Sequence, residues 1–312
     1  MGKKITVLGS FVVDLMGRAP HIPAPAETVK GSFFKMGPGG KGCNQGIAAK
    51  KAGGDVTMIT RVGDDSFRGL AETAFKNAGF DPKYIFVDHD GNSTAVAPIT
   101  VDETTGQNAI AVYLGACDHM TKEEIDSVAD VIKASDLFLM QLELNMDAIL
   151  YAKEIAVKAG AKVLLNPAPA PTTAIPEELY DGLYCIMPNE VEAAQISGIP
   201  TDTNEGIEKA AQFFHDKGVK NVIITLGVRG SYVSTPEKKA YVPIIKVKAV
   251  DTTGAGDAFC GGLLTALSEG KDLVEAAKFG AVTSGLKVTR MGSSVAMATR
   301  EEIDKYLAEH DF

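Results

Sequence analysis

The chain has 312 residues, of which 45% are hydrophobic and 23% charged, enough for a large core in a single domain over residues 1–312. Its net charge of −9 and its lack of a basic run argue against a nucleic-acid binder. Four scattered cysteines without a CxxC pair, and no apolar run of about 18 residues, lead us to expect a cytoplasmic protein that does not associate with a membrane.

The first third of the chain mixes core elements with two β-rich pieces. The predicted elements, in order, are a strand at 5–8, strands and turns over 11–38, a helix at 43–52, a strand at 56–62, a helix at 67–77 and a hairpin over 93–114. The pieces at about 11–38 and 93–114 interrupt the rhythm of strand and helix. We therefore expect them to form one small β-sheet that lies over the main domain as a lid.

From residue 121 onwards the pattern alternates between helix and strand. The predicted helices are 123–133, 146–159, 190–196, 205–216 and the segment from 258 onwards. The predicted strands are 137–142, 162–165, 185–187, 222–226 and 244–250. Such alternation indicates an α/β fold with a doubly wound, mostly parallel sheet and helices on both faces.

The stretch DTTGAGDAF, residues 251–259, lies between the last predicted strand and an apolar helix. Gly254 and Gly256 would let backbone amides point into open space, and the helix N-terminus favours an anion there. Asp257 could then accept the proton of a hydroxyl that attacks a phosphoryl group. The alternative is an ordinary helix cap, which uses aspartate in the same position.

A second glycine cluster, GPGGKGCNQ at residues 37–45, matches GxGxxG and precedes a predicted helix. Asp64 and Asp65 follow at the end of the next strand, so the segment is also compatible with a dinucleotide site and an NAD-dependent oxidoreductase. However, it follows the β-rich piece rather than the first core strand. A tight turn without a cofactor is the third interpretation.

Three further polar segments follow predicted strands, where ligands bind in open α/β sheets. Asn189 and Glu192 could act in a site or form a capping box. The segment TLGVRG, residues 225–230, could approach a phosphate or form a plain hairpin turn. Glu143 is either functional or solvated.

Taken together, these segments resemble the ribokinase-like, PfkB-type carbohydrate kinases over essentially the whole chain. The resemblance is carried by GSFVVD (9–14), GGKGCNQ (39–45), QLE (141–143), NPAPA (166–170), PNEVE (188–192), TLGVRG (225–230) and DTTGAGDAFCGG (251–262). It implies a ribokinase-like fold, a homodimer formed through the lid, and phosphoryl transfer from ATP to a small sugar. Fructokinase and nucleoside kinase activities remain alternatives within the family.

The resemblance also implies roles for individual residues. Asp257 would be the general base, and Gly254, Ala255 and Gly256 the anion hole. The sugar would be held by Asp14, Gly40, Lys41, Asn44 and Glu143. ATP would be bound by Asn189, Thr225, Gly227, Gly230 and Gly256. Glu192 would order Mg²⁺ through water, and the backbone at Asp251, Thr253, Arg290 and Gly292 would hold K⁺.

Two positions depart from the family pattern. Val12 stands where these kinases carry a sugar-binding asparagine, and a sugar hydroxyl left unpaired against it would cost about 1–3 kcal/mol. We therefore expect either 2-deoxyribose, which lacks that hydroxyl, or ribose with the contact repaired by water. Ala296 replaces the serine that often completes the potassium shell, for which Ser294 could substitute.

Overall fold

The computed structural model describes residues 2–171 and 173–310. Its strands, in chain order, are β1 Lys4–Leu8, β2 Val12–Ala19, β3 Phe33–Gly39, β4 Asp55–Gly63, β5 Ile85–Asp88, β6 Ala95–Asp102, β7 Asn108–Ile110, β8 Leu137–Met140, β9 Lys162–Leu165, β10 Leu183–Ile186, β11 Asn221–Thr225, β12 Ser231–Ser234 and β13 Lys239–Val242. Its helices are α1 Lys41–Lys51, α2 Arg68–Ala78, α3 Lys122–Ser127, α4 Ala129–Lys133, α5 Met146–Lys158, α6 Glu190–Ser197, α7 Asn204–Asp216, α8 Ala255–Ser268, α9 Leu273–Lys287 and α10 Arg300–Glu309.

Nine strands in the described part of the chain form the main sheet, in the order β13-β12-β11-β10-β9-β8-β1-β4-β5. The pairs from β11 to β5 are parallel, while β12 and β13 add an antiparallel edge. Alternate residues of β1 enter different cores, with Val7 in one and Leu8 in the other. The first core includes side chains of α1, α2, α8, α9 and α10, and the second includes side chains of α3, α5 and α7. This is the predicted α/β sheet with helices on both faces.

A second, smaller sheet has the strand order β3-β2-β6-β7 within the described residues. Its strands come from the two β-rich pieces predicted at about 11–38 and 93–114, and β2 pairs in parallel with β6 over eight residues, Val12↔Ala95 to Ala19↔Asp102. The small separate sheet is therefore confirmed. Its action as a lid remains a prediction.

The strand predicted over residues 244–250 is wrong. Alternating apolar and lysine residues suggested it, but Ile245 is buried whereas Ile244, Val247 and Val250 are exposed. The Ile245 side chain occupies the space beside Gly285 of α9, so the segment packs on that helix instead of joining the sheet. The predicted helix 123–133 is divided at Val128, whose φ of −113° and ψ of 10° separate α3 from α4.

No helix in the described ranges is long and apolar enough to cross a membrane.

Candidate active site

Asp257 lies in the first turn of α8, and its side chain is only 9% exposed. The N-cap is Gly254, in the left-handed conformation with φ of 74°, and it makes no side-chain cap hydrogen bond. Instead of capping the helix, the carboxylate accepts hydrogen bonds from Asn44 Nδ2 and Gln45 Nε2, each at 2.9 Å on a different oxygen. The capping interpretation of Asp257 is therefore wrong, and the carboxylate is held from α1.

The space beside this carboxylate is open. A Cβ built on Gly256 would meet no described atom within 4 Å, and one on Gly254 would approach Ser293 Cβ only to 3.5 Å. The first turn of a helix presents amide groups without intrahelical partners, and its dipole adds positive potential. The turn formed by Gly254, Ala255 and Gly256 can therefore receive an anion directly next to Asp257.

Buried amide side chains connect Asp257 to the centre of the main sheet. Gln45 Nε2 also lies 2.9 Å from Asn166 Oδ1, and Gln45 Oε1 accepts from Gln141 Nε2 at 2.8 Å. Asn166 Nδ2 in turn donates to the Met187 carbonyl at 2.7 Å. Gln45, Gln141 and Asn166 were not predicted as site residues from the sequence. The one signal that could have found them is their place inside the quoted motifs GGKGCNQ, QLE and NPAPA.

Asp14 of β2 belongs to the same site through the small sheet. Its carboxylate fills the position that a Cβ at Gly39 would need, with Oδ1 only 2.3 Å away. Ser293 Oγ donates to Asp14 Oδ2 at 3.3 Å. Burial, together with the nearby carboxylates of Asp257 and Glu143, raises the pKa of Asp14 to about 6 against the opposing effect of the Ser293 hydrogen bond.

Glu143 is buried at the end of the segment that follows β8, so the solvated interpretation is wrong. It accepts hydrogen bonds from the Ser10 hydroxyl and from the backbone amide of Lys41 at 2.8 Å. Burial raises the pKa of Glu143, although the Lys41 ammonium opposes the shift. Burial lowers the pKa of Lys41, but the carboxylates of Asp257, Glu143 and Glu192 outweigh it and bring the pKa above its ordinary value.

Val12 and Gly40 are in contact at the foot of the small sheet. Gly40 has a φ of +90°, and a Cβ there would lie 2.8 Å from the Val12 backbone nitrogen, so a side chain is excluded on both counts. The Val12 side chain is 2% exposed and belongs to the apolar core shared with Leu8 and Ala95. The wall of the site at Val12 is therefore apolar and offers no hydrogen-bonding side chain.

The predicted nucleotide residues meet at the ends of β10 and β11. Asn189 pairs with Thr225 in an isolated parallel bridge, and Gly227 and Gly230 lie in the hairpin turn between β11 and β12. Asn189 and Glu192 form the capping box of α6, with both hydrogen bonds at 2.8 Å. The capping box predicted at Asn189 and Glu192 and the hairpin turn predicted at residues 225–230 are thus both present.

Burial raises the pKa of Glu192 in spite of the Asn189 amide and the Lys41 ammonium, and the Asp257 carboxylate adds to the rise. Glu192 is therefore electrostatically part of the same site as Lys41 and Asp257. Among the described residues, no group of three or more His, Cys, Asp or Glu side chains is arranged to hold a metal ion.

The loop before α8 is organised by Asp251. Its carboxylate accepts from the amides of Thr253 at 2.9 Å and Gly292 at 2.8 Å. Burial raises the pKa of Asp251, but these hydrogen bonds outweigh it and bring the pKa below its ordinary value. Arg290, whose backbone is also predicted to lie at this site, directs its guanidinium to Glu302 at 2.6 and 3.1 Å.

Comparison with known proteins places this geometry in a family. The model of the family described as "pfkB family carbohydrate kinase" matches residues 2–300 of this chain. Among curated proteins, the chain is 38% identical to the ribokinase of Haemophilus influenzae, over 99% of this chain and 100% of that protein. It is 35% identical to the deoxyribokinase of Salmonella typhi, over 97% and 98% of the two chains.

Solved structures agree with this comparison. The ribokinase of Thermotoga maritima superimposes with a TM-score of 0.87 at 35% identity, covering 98% of this chain and 99% of that one. The ribokinase of Arabidopsis thaliana complexed with ribose and ATP gives a TM-score of 0.89 at 29% identity, with the same coverage.

Proposed function

Because the chain belongs to the pfkB family of carbohydrate kinases, we propose that it transfers the γ-phosphate of ATP to the 5-hydroxyl of a pentose. The observation that carries the proposal is the buried carboxylate of Asp257, held by Asn44 and Gln45 beside the open turn at Gly256. The NAD-dependent alternative is not supported, because the glycine cluster at 37–42 begins within β3 of the small sheet and does not follow a strand of the main sheet.

In the proposed reaction, Asp257 accepts the proton of the attacking sugar hydroxyl. The amides of Gly254, Ala255 and Gly256 hold the charge of the migrating phosphoryl group. Phosphoryl transfer passes through a loose transition state, so alignment and charge stabilisation contribute more than the strength of the base. Two hydrogen bonds from α1 keep the carboxylate in one orientation, which suits a group whose task is alignment.

The sugar would lie between the small sheet and α1. Asp14, Glu143 and Asn44 offer it oxygen acceptors, and Lys41 with the backbone of Gly40 completes the set. Asn44 Oδ1 is buried and lacks a hydrogen-bond partner among the described residues. A buried acceptor without a partner is costly, and a sugar hydroxyl would satisfy it.

The apolar wall at Val12 favours 2-deoxyribose over ribose, because it offers no partner for a 2-hydroxyl. Relatives named ribokinase and deoxyribokinase match at similar identity, 38% and 35%, so overall similarity does not separate the two sugars. A much higher kcat/KM for ribose than for 2-deoxyribose would contradict the inference from Val12.

ATP would be bound by Asn189, Thr225, Gly227 and Gly230, with its γ-phosphate at Gly256. Magnesium usually keeps several waters and binds through substrate phosphates with one or two carboxylates, so the lack of a dedicated cage among residues 2–171 and 173–310 is compatible with it. The capping bond engages Glu192 Oε2, and the other oxygen of this carboxylate would hold a water of Mg²⁺. The ion would supply charge neutralisation on the phosphates.

The small sheet is proposed to close over the sugar and to form a homodimer contact. It exposes large apolar side chains, with Phe34 66% exposed, which monomeric surfaces seldom cluster. Met36, two residues further along β3 and 48% exposed, lies on the same face of the sheet as Phe34. Sedimentation of the protein and of Phe34→Asp tests the contact: a dimer that the substitution leaves intact would contradict it.

The central experiment is ADP release in the presence of Mg²⁺, measured against ribose, 2-deoxyribose, fructose and adenosine. A pentose kinase releases ADP with one of the first two sugars at a kcat/KM well above that for the others. Preference for fructose or adenosine would reassign the substrate within the family. No ADP release with any of them would overturn the proposed function.

A further inference from the structure

Lys287, the last residue of α9, is a buried lysine next to the proposed phosphate turn. Its side chain is 0% exposed, and its Nζ donates to the backbone carbonyl of Asp251 at 2.8 Å. Lysine is almost never fully buried unless its charge is compensated, because an ammonium loses much hydration on burial. The position therefore requires an explanation beyond packing.

The carbonyl that Lys287 binds belongs to the residue that organises the loop before α8. The carboxylate of Asp251 already fixes the amides of Thr253 and Gly292, and Gly254 follows as the cap of α8. The Lys287 ammonium, which donates to the carbonyl of Asp251, thus adds a further hydrogen bond that fixes this loop. The loop in turn sets the direction of the amides at the start of α8.

The residues expected to hold potassium fit that ion poorly. The Asp251 carbonyl is already bound to an ammonium, and a second cation in the same cluster would be repelled. Ala296 has no hydroxyl to offer. The Ser294 hydroxyl, its expected substitute, donates to the Pro38 carbonyl at 3.0 Å instead. All three observations disfavour a potassium ion here.

We propose that Lys287 supplies, as a fixed ammonium, the positive charge that was expected from potassium, so that the enzyme needs no monovalent cation. Lys287 is then a positioning residue, since it acts through the loop 251–254 and does not touch the substrate. The inference rests on the proposed kinase function for its kinetic consequence. Its structural consequence, that potassium does not bind at this loop, stands independently.

The first test uses the wild-type protein in KCl and in tetramethylammonium chloride, at a constant ionic strength of about 0.1 M so that screening is equal. We expect the same kcat with a pentose and the same thermal unfolding midpoint in both salts. A kcat that rises several-fold in KCl, or a midpoint that rises specifically with potassium, would overturn the proposal.

The second test compares Lys287→Ala with Lys287→Met. We expect each to lower kcat about 10-fold in tetramethylammonium chloride while the KM for the sugar changes little. Ammonium or potassium should restore much of the activity of Lys287→Ala and raise its unfolding midpoint, because the truncated side chain leaves room for an ion. Lys287→Met fills that room with an uncharged chain and should not respond. Lys246→Ala, which removes an exposed lysine, is the control and should behave as the wild type.

A Lys287→Ala variant with normal kcat and no response to either cation would contradict the role assigned to the ammonium. If Lys287→Ala does not fold, Lys287→Met and the wild-type salt comparison still decide the question. The thermal measurements need no turnover. A protein that phosphorylates none of the sugars would therefore fail as a pentose kinase and still report whether potassium binds.

Discussion

The two glycine-rich turns of this chain both lead into a helix, yet Gly42 of the first and Gly256 of the second have opposite surroundings. Where β3 leads into α1, a Cβ on Gly42 would lie 2.5 Å from the backbone of Gly9 and Ser10, and one on Gly39 would collide with the Asp14 carboxylate. In the first turn of α8, a Cβ on Gly256 would meet no described atom within 4 Å apart from its chain neighbours and the adjacent backbone of its own helix. Neighbouring atoms exclude side chains at Gly39 and Gly42, whereas the space beside Gly256 is open to a ligand.

The open space beside Gly256 supports the proposal that the turn before Asp257, and not the one before Asn44, receives a ligand's phosphate. Similar sequence patterns, GPGGKG and TGAGD, gave two competing cofactor hypotheses, and the pattern alone did not decide between them. The two turns nevertheless serve one site. Asn44 and Gln45, which follow the packed turn, hold the carboxylate of Asp257, which follows the open one.

The largest expected effect is at the open turn. Asp257→Asn keeps the size of the side chain but removes the base, and we expect kcat to fall about 1,000-fold, within the range for general acid–base groups. ATP binding, measured by calorimetry, and the unfolding midpoint should change little. A kcat within about 10-fold of the wild type would remove the catalytic assignment of Asp257.

The comparison itself is tested by two matched substitutions. Gly42→Ala forces the backbone of Gly9 to move, and we expect it to lower the free energy of unfolding by about 1–3 kcal/mol or more. Gly256→Ala meets no neighbour and replaces a poor helix former, so the free energy of unfolding should be unchanged or up to about 1 kcal/mol higher.

The effect on activity that comes from the site itself should be seen in Gly256→Ala, the variant that keeps its stability. The methyl group of Gly256→Ala intrudes where the γ-phosphate is proposed to lie, and we expect kcat/KM for ATP to fall about 10-fold. Urea denaturation and initial rates on both variants provide the data. Equal destabilisation by the two substitutions, or normal kinetics for Gly256→Ala, would show that the two turns do not differ as described.

The sequence predicted the sheet and most of its helices because long periodic segments report burial directly. It did not predict the network of Gln45 and Asn166, since single buried amides leave no periodic signal. A lysine at the end of a helix, such as Lys287, is usually solvated, so its burial was also unforeseen. The segment 244–250 was mistaken for a strand because alternation was read as burial of one face, whereas Ile245 is the buried member and packs on α9.

Gln45 links the two turns, so its removal should have an intermediate effect. Gln45→Ala takes one donor from the Asp257 carboxylate and leaves Asn166 and Gln141 without their partner. We expect kcat to fall about 10-fold with a smaller change in the sugar KM, because the carboxylate loses alignment rather than contact with the sugar.

The control for this variant is Gln212→Ala, which removes an exposed glutamine of α7 that donates to Asp216. It should leave both kinetic constants unchanged. If Gln45→Ala raised KM and left kcat intact, Gln45 would act in binding the sugar and not in orienting the base.

An effect that should be absent at neutral pH concerns the packed turn, where the Asp14 carboxylate occupies the space beside Gly39. The pKa of Asp14 is raised to about 6, so the acid becomes protonated below that pH and loses its charge as a sugar ligand. We expect the sugar KM to rise up to about 10-fold per pH unit below 6, with kcat nearly constant.

A raised carboxyl pKa means that the folded state binds the proton more tightly, so Asp14 should stabilise the fold less as pH rises from about 4 to 6. Asp14→Asn should have a higher KM at pH 7 and should lose both pH dependences. A KM that is flat from pH 5 to 8 in the wild type would place the sugar elsewhere than at this carboxylate.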